Sequence, residues 1–195
     1  CQLDYRGEVA NLDTRLLTAA FASGLLERAL DEDVNIVNSE LLLRERGIQL
    51  VEQSQLEMGD FSSSITAQLD TDGDAFAVAG TLFGQSMPRL IRLGEYRLET
   101  YLDGVMLVFS HHDVPGIIGW VGSILGEEKV NIAQMSVGRA GDAPGGQAIG
   151  VLNLDTVPPQ QTLERLQDHE DIERVQVIQL PIAGKLPDWL VHSLQ

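Results

Sequence analysis

The stretch His111-His112-Asp113-Val114-Pro115-Gly116-Ile117-Ile118-Gly119 holds the residue types best placed for chemistry in this chain, where a strand gives way to a helix. Pro115 fits the first helical turn, where its missing N–H costs nothing, and Gly116 lets a ligand or another chain come close to the backbone. A helix N-terminus facing an open loop offers free N–H groups and partial positive charge, which suit a carboxylate. Asp113 would then hold the ammonium end of the same molecule, and Asn131, just before the next strand, would hydrogen-bond it from the other side. Such a set grips an α-amino acid. The ordinary alternative is that Asp113 caps the helix and Asn131 makes a local turn, and residue types alone leave both open.

Other candidates carry less. His111 and His112 are neighbours at a strand end and point to opposite sides, with no further histidine or cysteine nearby, so no metal site is expected. Ser62-Ser63-Ser64 lacks the G-x-S-x-G setting of an activated serine and reads as a loop or strand start. His169 and His192 read as surface residues. Gly116, Gly119, Gly122 and Gly126 do not form a dinucleotide-binding G-x-G-x-x-G and are expected to let the helix pack closely on a sheet or on a second helix. Arg89, Arg92 and Arg97 form the one basic cluster. Guanidinium groups match phosphate and carboxylate, so the trio is a candidate anion site near the boundary between the two halves of the sequence, unless it pairs with Glu95, Glu99 and other acids. No constellation supports catalysis.

These residues need elements to position them. From Gly104 the pattern reads as a strand at Val105 to Ser110, a helix at Pro115 to Glu128, strands at Asn131 to Gly138 and Ala148 to Leu154, a helix at Pro159 to His169, and a strand at Ile172 to Leu180. The order βαββαβ predicts a ferredoxin-like four-stranded antiparallel sheet with both helices on one face. The earlier half opens with a strand near Gln2 to Val9. A helix follows, capped by Asp13 or Thr14, with Leu17, Phe21, Leu25 and Ala29 on one face. A second helix is expected from Val34 to Arg46, closed by Gly47. Period-two alternation then takes over at Ile48 and Leu50, at Ile65, Ala67 and Leu69, and at Phe76, Val78, Gly80 and Leu82, with a hairpin turn at Asp72-Gly73-Asp74 and another at Gly94-Glu95. The fold class is α+β, with domains expected over residues 1–100 and 101–182 and a tail over 183–195 that forms either an extended arm or a short helix.

Composition narrows the partners. At 195 residues and 44% apolar content the chain can bury two small cores. A formal net charge of −16 repels phosphate backbones and anionic lipid, so neither nucleic acid nor membrane is expected as a partner. No secretory segment opens the chain, which predicts a cytoplasmic protein, and its one cysteine, Cys1, supplies no disulfide or zinc pair.

Several motifs resemble a known family. Val105-Met106-Leu107-Val108-Phe109, Asp113-Val114-Pro115-Gly116-Ile117-Ile118-Gly119, Val130-Asn131-Ile132-Ala133-Gln134-Met135-Ser136-Val137-Gly138-Arg139 and Gly146-Gln147-Ala148 look like the ACT domain that closes the long form of D-3-phosphoglycerate dehydrogenase. Asp4-Tyr5-Arg6-Gly7-Glu8, Leu16-Leu17-Thr18-Ala19-Ala20-Phe21, Val34-Asn35-Ile36-Val37-Asn38, Arg44-Glu45-Arg46-Gly47-Ile48 and Val78-Ala79-Gly80-Thr81-Leu82-Phe83-Gly84 are similar to the intervening domain before it. The resemblance implies a regulatory, oligomer-forming part of an NAD-dependent enzyme of serine synthesis, with the catalytic and NAD-binding domains outside this stretch and no cofactor within it. It also implies that ACT domains pair and bind L-serine or a related effector at their interface, here through His111, Asp113, Val114, Pro115, Gly116, Asn131 and Ile132. His111 stands where some members carry a tyrosine, and Tyr101 where some carry an arginine of an anion site. A free-standing ACT sensor or adaptor is the competing expectation.

Overall fold

The computed structural model describes residues 1–27, 29–30, 33–84, 86–141 and 145–185. The expected choice between arm and helix for the tail, and the placement of His192, lie outside these residues. The protein is α+β and packs as two units, one formed by Cys1–Leu82 and one by Phe83–Ala183.

In the first unit, strands β1 (Gln2–Gly7), β2 (Val51–Gln55), β3 (Ser63–Asp70) and β4 (Ala75–Phe83) are ordered β2-β1-β3-β4. β1 runs parallel to β2 and antiparallel to β3, and β3 runs antiparallel to β4. Helices α1 (Arg15–Leu26) and α2 (Ser39–Glu45) supply the rest of the core. Leu3, Tyr5, Val9 and Ala67 form one cluster, and Ala22, Leu26, Val34, Leu42 and Leu43 another.

The buried face of α1 only partly matches the expected one: Phe21 and Leu25 pack half-buried against the two clusters. Thr18, Ala19, Ala22, Ser23 and Leu26 are buried, whereas Leu17 is exposed. Small side chains let α1 approach α2 closely enough for Ser39 Oγ to donate to the Ala19 carbonyl at 3.1 Å. Neither Asp13 nor Thr14 caps the helix through its side chain in the usual way. Instead the Arg15 side chain and backbone N–H donate to Asp13 and hold its carboxyl at about 2. The second helix starts five residues later than expected, at Ser39. The side chains of Asn35 and Asn38 bond the backbone N–H groups of Val37, Asn38 and Asn35, fixing a turn where the helix would have begun. Gly47 ends the segment with φ 73°, as the spacing predicted. Ile48 and Leu50 lie before the strand, which covers Val51–Gln55. Thr71 N donates to the Asp74 carbonyl at 2.9 Å, closing the hairpin at Asp72-Gly73-Asp74.

The second unit has strands β5 (Met87–Leu93) and β6 (Tyr96–Tyr101), then β7 (Val105–His112), α3 (Ile117–Glu127), β8 (Ile132–Arg139), β9 (Gln147–Leu154), α4 (Gln160–Gln167) and β10 (Ile172–Gln179). The last six form the expected βαββαβ unit, ordered β10-β7-β9-β8 and antiparallel throughout. Leu107, Phe109, Leu152 and Leu154 face the helices, packing on Ile117, Val121, Ile124, Leu125 and Leu166. The opposite sheet face is also covered, which the sequence reading missed. Met106, Val108, Ile149 and Val151 meet Leu90, Leu93, Tyr96 and Leu98 of the β5–β6 hairpin. Gly138 makes that approach possible, since a Cβ there would lie 2.8 Å from the Arg97 carbonyl.

Candidate functional site

The register of the second sheet decides which candidate residues meet. His112 pairs with Gln147 and Arg139 with Ala148 at one end; Val105 and Ile132 both pair with Leu154 at the other. The loop after β7, with Asp113 to Gly116, therefore stands at the first end, and Asn131 with Ile132 at the second. Between them lie the seven steps of β8, roughly 23 Å at about 3.3 Å per residue. One chain cannot offer Asp113 and Asn131 to the same small molecule.

At the first end, Gly116 takes a left-handed conformation with φ 98° and is followed directly by α3. Pro115 consequently precedes the helix instead of opening its first turn. No side chain caps α3, and a Cβ on Gly116 would meet nothing within 4 Å. Asp113 does not cap the helix. Its carboxylate accepts from Arg139 Nε at 2.7 Å, and Gly145 N lies 3.4 Å from the same oxygen. Two backbone bonds set the loop's path: Asp113 N donates to the Gly146 carbonyl at 2.8 Å, and Val114 N donates to the His112 carbonyl at 2.8 Å.

His111 lies on the helix side of β7, in line with Leu107 and Phe109, and is 1% exposed. Its ring stacks on Phe109 with centroids 5.3 Å apart, and Nδ1 sits 2.7 Å from the His112 carbonyl. Nε2 is buried with no hydrogen-bond partner among the described residues. A buried unpaired ring nitrogen costs stability unless something bonds it, so this atom marks a place for a further polar group. His112 projects from the other face and lies 3.9 Å from Glu173, whose carboxylate also accepts from Gln147 Nε2 at 2.6 Å.

At the second end, Asn131 Nδ2 donates to Asp155 Oδ2 at 2.8 Å, and the Asn131 carbonyl accepts from Asp155 N at 3.1 Å. This ties the start of β8 to the end of β9, 24 residues on, and is not a local turn. Ile132 is half-buried against the helix-side core.

The three arginines do not converge as one group. Arg89 is enclosed, with its guanidinium 4.2 Å from the Tyr101 ring and 5.4 Å from the Phe83 ring, 4.0 Å from Glu99, and donating to the Pro88 carbonyl at 3.0 Å. Arg92 faces Arg97 across the hairpin and donates to the Gly94 carbonyl at 2.8 Å. Arg97 lines a groove of about 820 Å³ with Glu95, Val137, Gly138, Arg139, Ala140 and Gly141. Sequence reasoning singled out Arg97 but used Arg139 only as part of a motif. Its signal was position, a cation at the strand end that antiparallel pairing returns to the loop after β7.

The α3 glycines also differ from expectation. At Gly119, Gly122 and Gly126 an added Cβ would meet nothing within 4 Å, so they pack on neither the sheet nor α4 and leave a bare stripe. On the edge strand β8, Met135 and Val137 stand 45% and 41% exposed. No helix among the described residues is long and apolar enough to cross a membrane.

Comparison with known proteins bears on this architecture. Residues 1–94 match the D-3-phosphoglycerate dehydrogenase intervening domain, and residues 105–171 match the ACT domain. Over 92% of its length the chain is 34% identical to a D-3-phosphoglycerate dehydrogenase of Methanocaldococcus jannaschii and 32% identical to one of Bacillus subtilis. Over 87% of its length it is 33% identical to the D-3-phosphoglycerate dehydrogenase 3, chloroplastic, of Arabidopsis thaliana. It spans about a third of each of these relatives, at 33%, 34% and 31% of their lengths. The chain belongs to the D-3-phosphoglycerate dehydrogenase family, of which it carries the C-terminal regulatory region, an intervening domain followed by an ACT domain.

Proposed function

We propose that this region is the effector-binding and assembly part of a D-3-phosphoglycerate dehydrogenase that oxidises 3-phosphoglycerate with NAD bound by domains outside this stretch. Its ACT domain pairs with a second copy and takes L-serine or a related small amino acid at the shared boundary, in a cytoplasmic homo-oligomer. Effector binding then acts as a coupling free energy on the distant catalytic part.

One observation carries the reading: Asn131 stands at one end of the edge strand β8, and Arg139 at the other end is bonded to Asp113. A two-fold axis through the middle of β8 pairs Ile132 of one copy with Arg139 of the other in an antiparallel ladder. That operation carries Asn131 of one copy to the end where Asp113, Gly116 and His111 of the other stand. Exposed Met135 and Val137 on that edge strand supply apolar surface that a second copy would cover. The uncapped N-terminus of α3 suits the ligand's carboxylate, Asp113 its ammonium, and His111 Nε2 a hydroxyl.

Titration calorimetry of the 195-residue chain with L-serine tests the proposal. Saturable heat that disappears in Asp113→Ala and in Asn131→Ala is the expected result; an absence of heat at millimolar serine removes the sensing role. The alternative, a free-standing ACT sensor or adaptor, shares the ACT unit but not the intervening domain. A full-length gene product without about 300 residues of dinucleotide-binding pattern ahead of Cys1 would favour it.

A further inference from the structure

Asp113 already has a cation. Arg139 Nε lies 2.7 Å from its carboxylate, which is only 17% exposed, so a guanidinium occupies the place that a ligand ammonium would need. Beyond Arg139 opens the groove lined by Glu95 and Arg97, where a second carboxylate stands at the turn between β5 and β6. Arg139 therefore pairs with one acid, on the loop that leads into α3, and lines a groove with another, on the hairpin. Its own side chain is 52% exposed, with room to change rotamer.

We infer that Arg139 is an internal competitor for Asp113, a latch that occupies the carboxylate in the absence of effector and moves toward Glu95 when an ammonium replaces it. The inference rests on the reading of Asp113 as the ammonium-binding residue. Its physical content is a population: the ligand binds only the fraction of molecules whose latch is off, and its apparent affinity is reduced by that fraction. Glu95 lowers the cost of release, because the displaced guanidinium finds another carboxylate instead of water alone. Arg97, in the same groove, competes for Glu95 and keeps that open position from dominating before ligand arrives.

L-serine serves as the probe, titrated calorimetrically into the wild-type chain, Arg139→Gln and Glu95→Gln, with thermal melts confirming that each folds. For a half-exposed ion pair, removal of the latch is expected to tighten binding on the order of fivefold. Glu95→Gln, which removes the alternative partner, weakens binding relative to wild type. If wild type binds and Arg139→Gln binds no more tightly, the latch is wrong and the effector reading survives. If none of the three chains binds, both fall.

Discussion

At the scale of single residues, close contacts decide most of what can be changed. A Cβ at Gly150 would lie 2.3 Å from the Phe109 ring, directly beneath the helix-side core. Gly150→Ala is therefore expected to lose about 1–3 kcal/mol of stability, read in urea unfolding, because the ring has buried neighbours and cannot shift freely. Tyr5 shows the same economy with a polar group. Its hydroxyl shares a 2.8 Å hydrogen bond with Thr18 in a buried setting, so Tyr5→Phe should cost about 1 kcal/mol. Burial raises the Tyr5 phenol above its ordinary value; the Thr18 bond opposes this, and the nearby Glu52 and Glu40 carboxylates add to it. Burial, with Glu95 and Glu173, raises Tyr96 as well. The folded chain thus keeps protons that the unfolded chain releases above about pH 10, so this part of the stability is intact below that pH and declines as pH climbs past it. Melting temperatures across pH 9 to about 11 should fall less steeply in Tyr5→Phe than in wild type.

At the scale of elements, ends proved harder to read than existence. The βαββαβ order, the turn at Asp72-Gly73-Asp74 and the stop at Gly47 were all legible, because apolar period and turn chemistry are local. The start of α2 was not, since Asn35 and Asn38 close their own turn first. The C-terminus of α3 offers a test. Lys129 is the one described residue other than glycine with positive φ, at 58°, and Val130 N reaches back to the Leu125 carbonyl at 2.9 Å. A glycine is at ease in that conformation, so Lys129→Gly should raise stability by about 1 kcal/mol, measured as a shift in the urea midpoint without a change in slope.

At the scale of the whole molecule, charge and the open edge of β8 pull against each other. Met135 and Val137 favour burial between copies, while a net charge of −16 on each chain opposes association. Salt shortens the reach of that repulsion to about 10 Å at 0.1 M. Dimerisation measured by sedimentation is therefore expected to tighten between low and moderate ionic strength, and Met135→Arg should abolish it while the chain stays folded. An unchanged dimer in Met135→Arg would place the contact elsewhere than β8.

Fold class, domain order and family were legible in the residues, because these follow from local period, turn residues and motifs that neighbours in the chain specify. The sequence also nominated Asp113, Gly116 and Asn131, since loop position and residue type are written in the chain. Not legible there was that Asp113 faces Arg139, that Asn131 is turned to Asp155 at the far end of the sheet, and that the hairpin of β5 and β6 covers the second face. The reason is pairing at long range: antiparallel register links residues tens of positions apart, and which end of a strand meets which loop is a property of the assembled sheet.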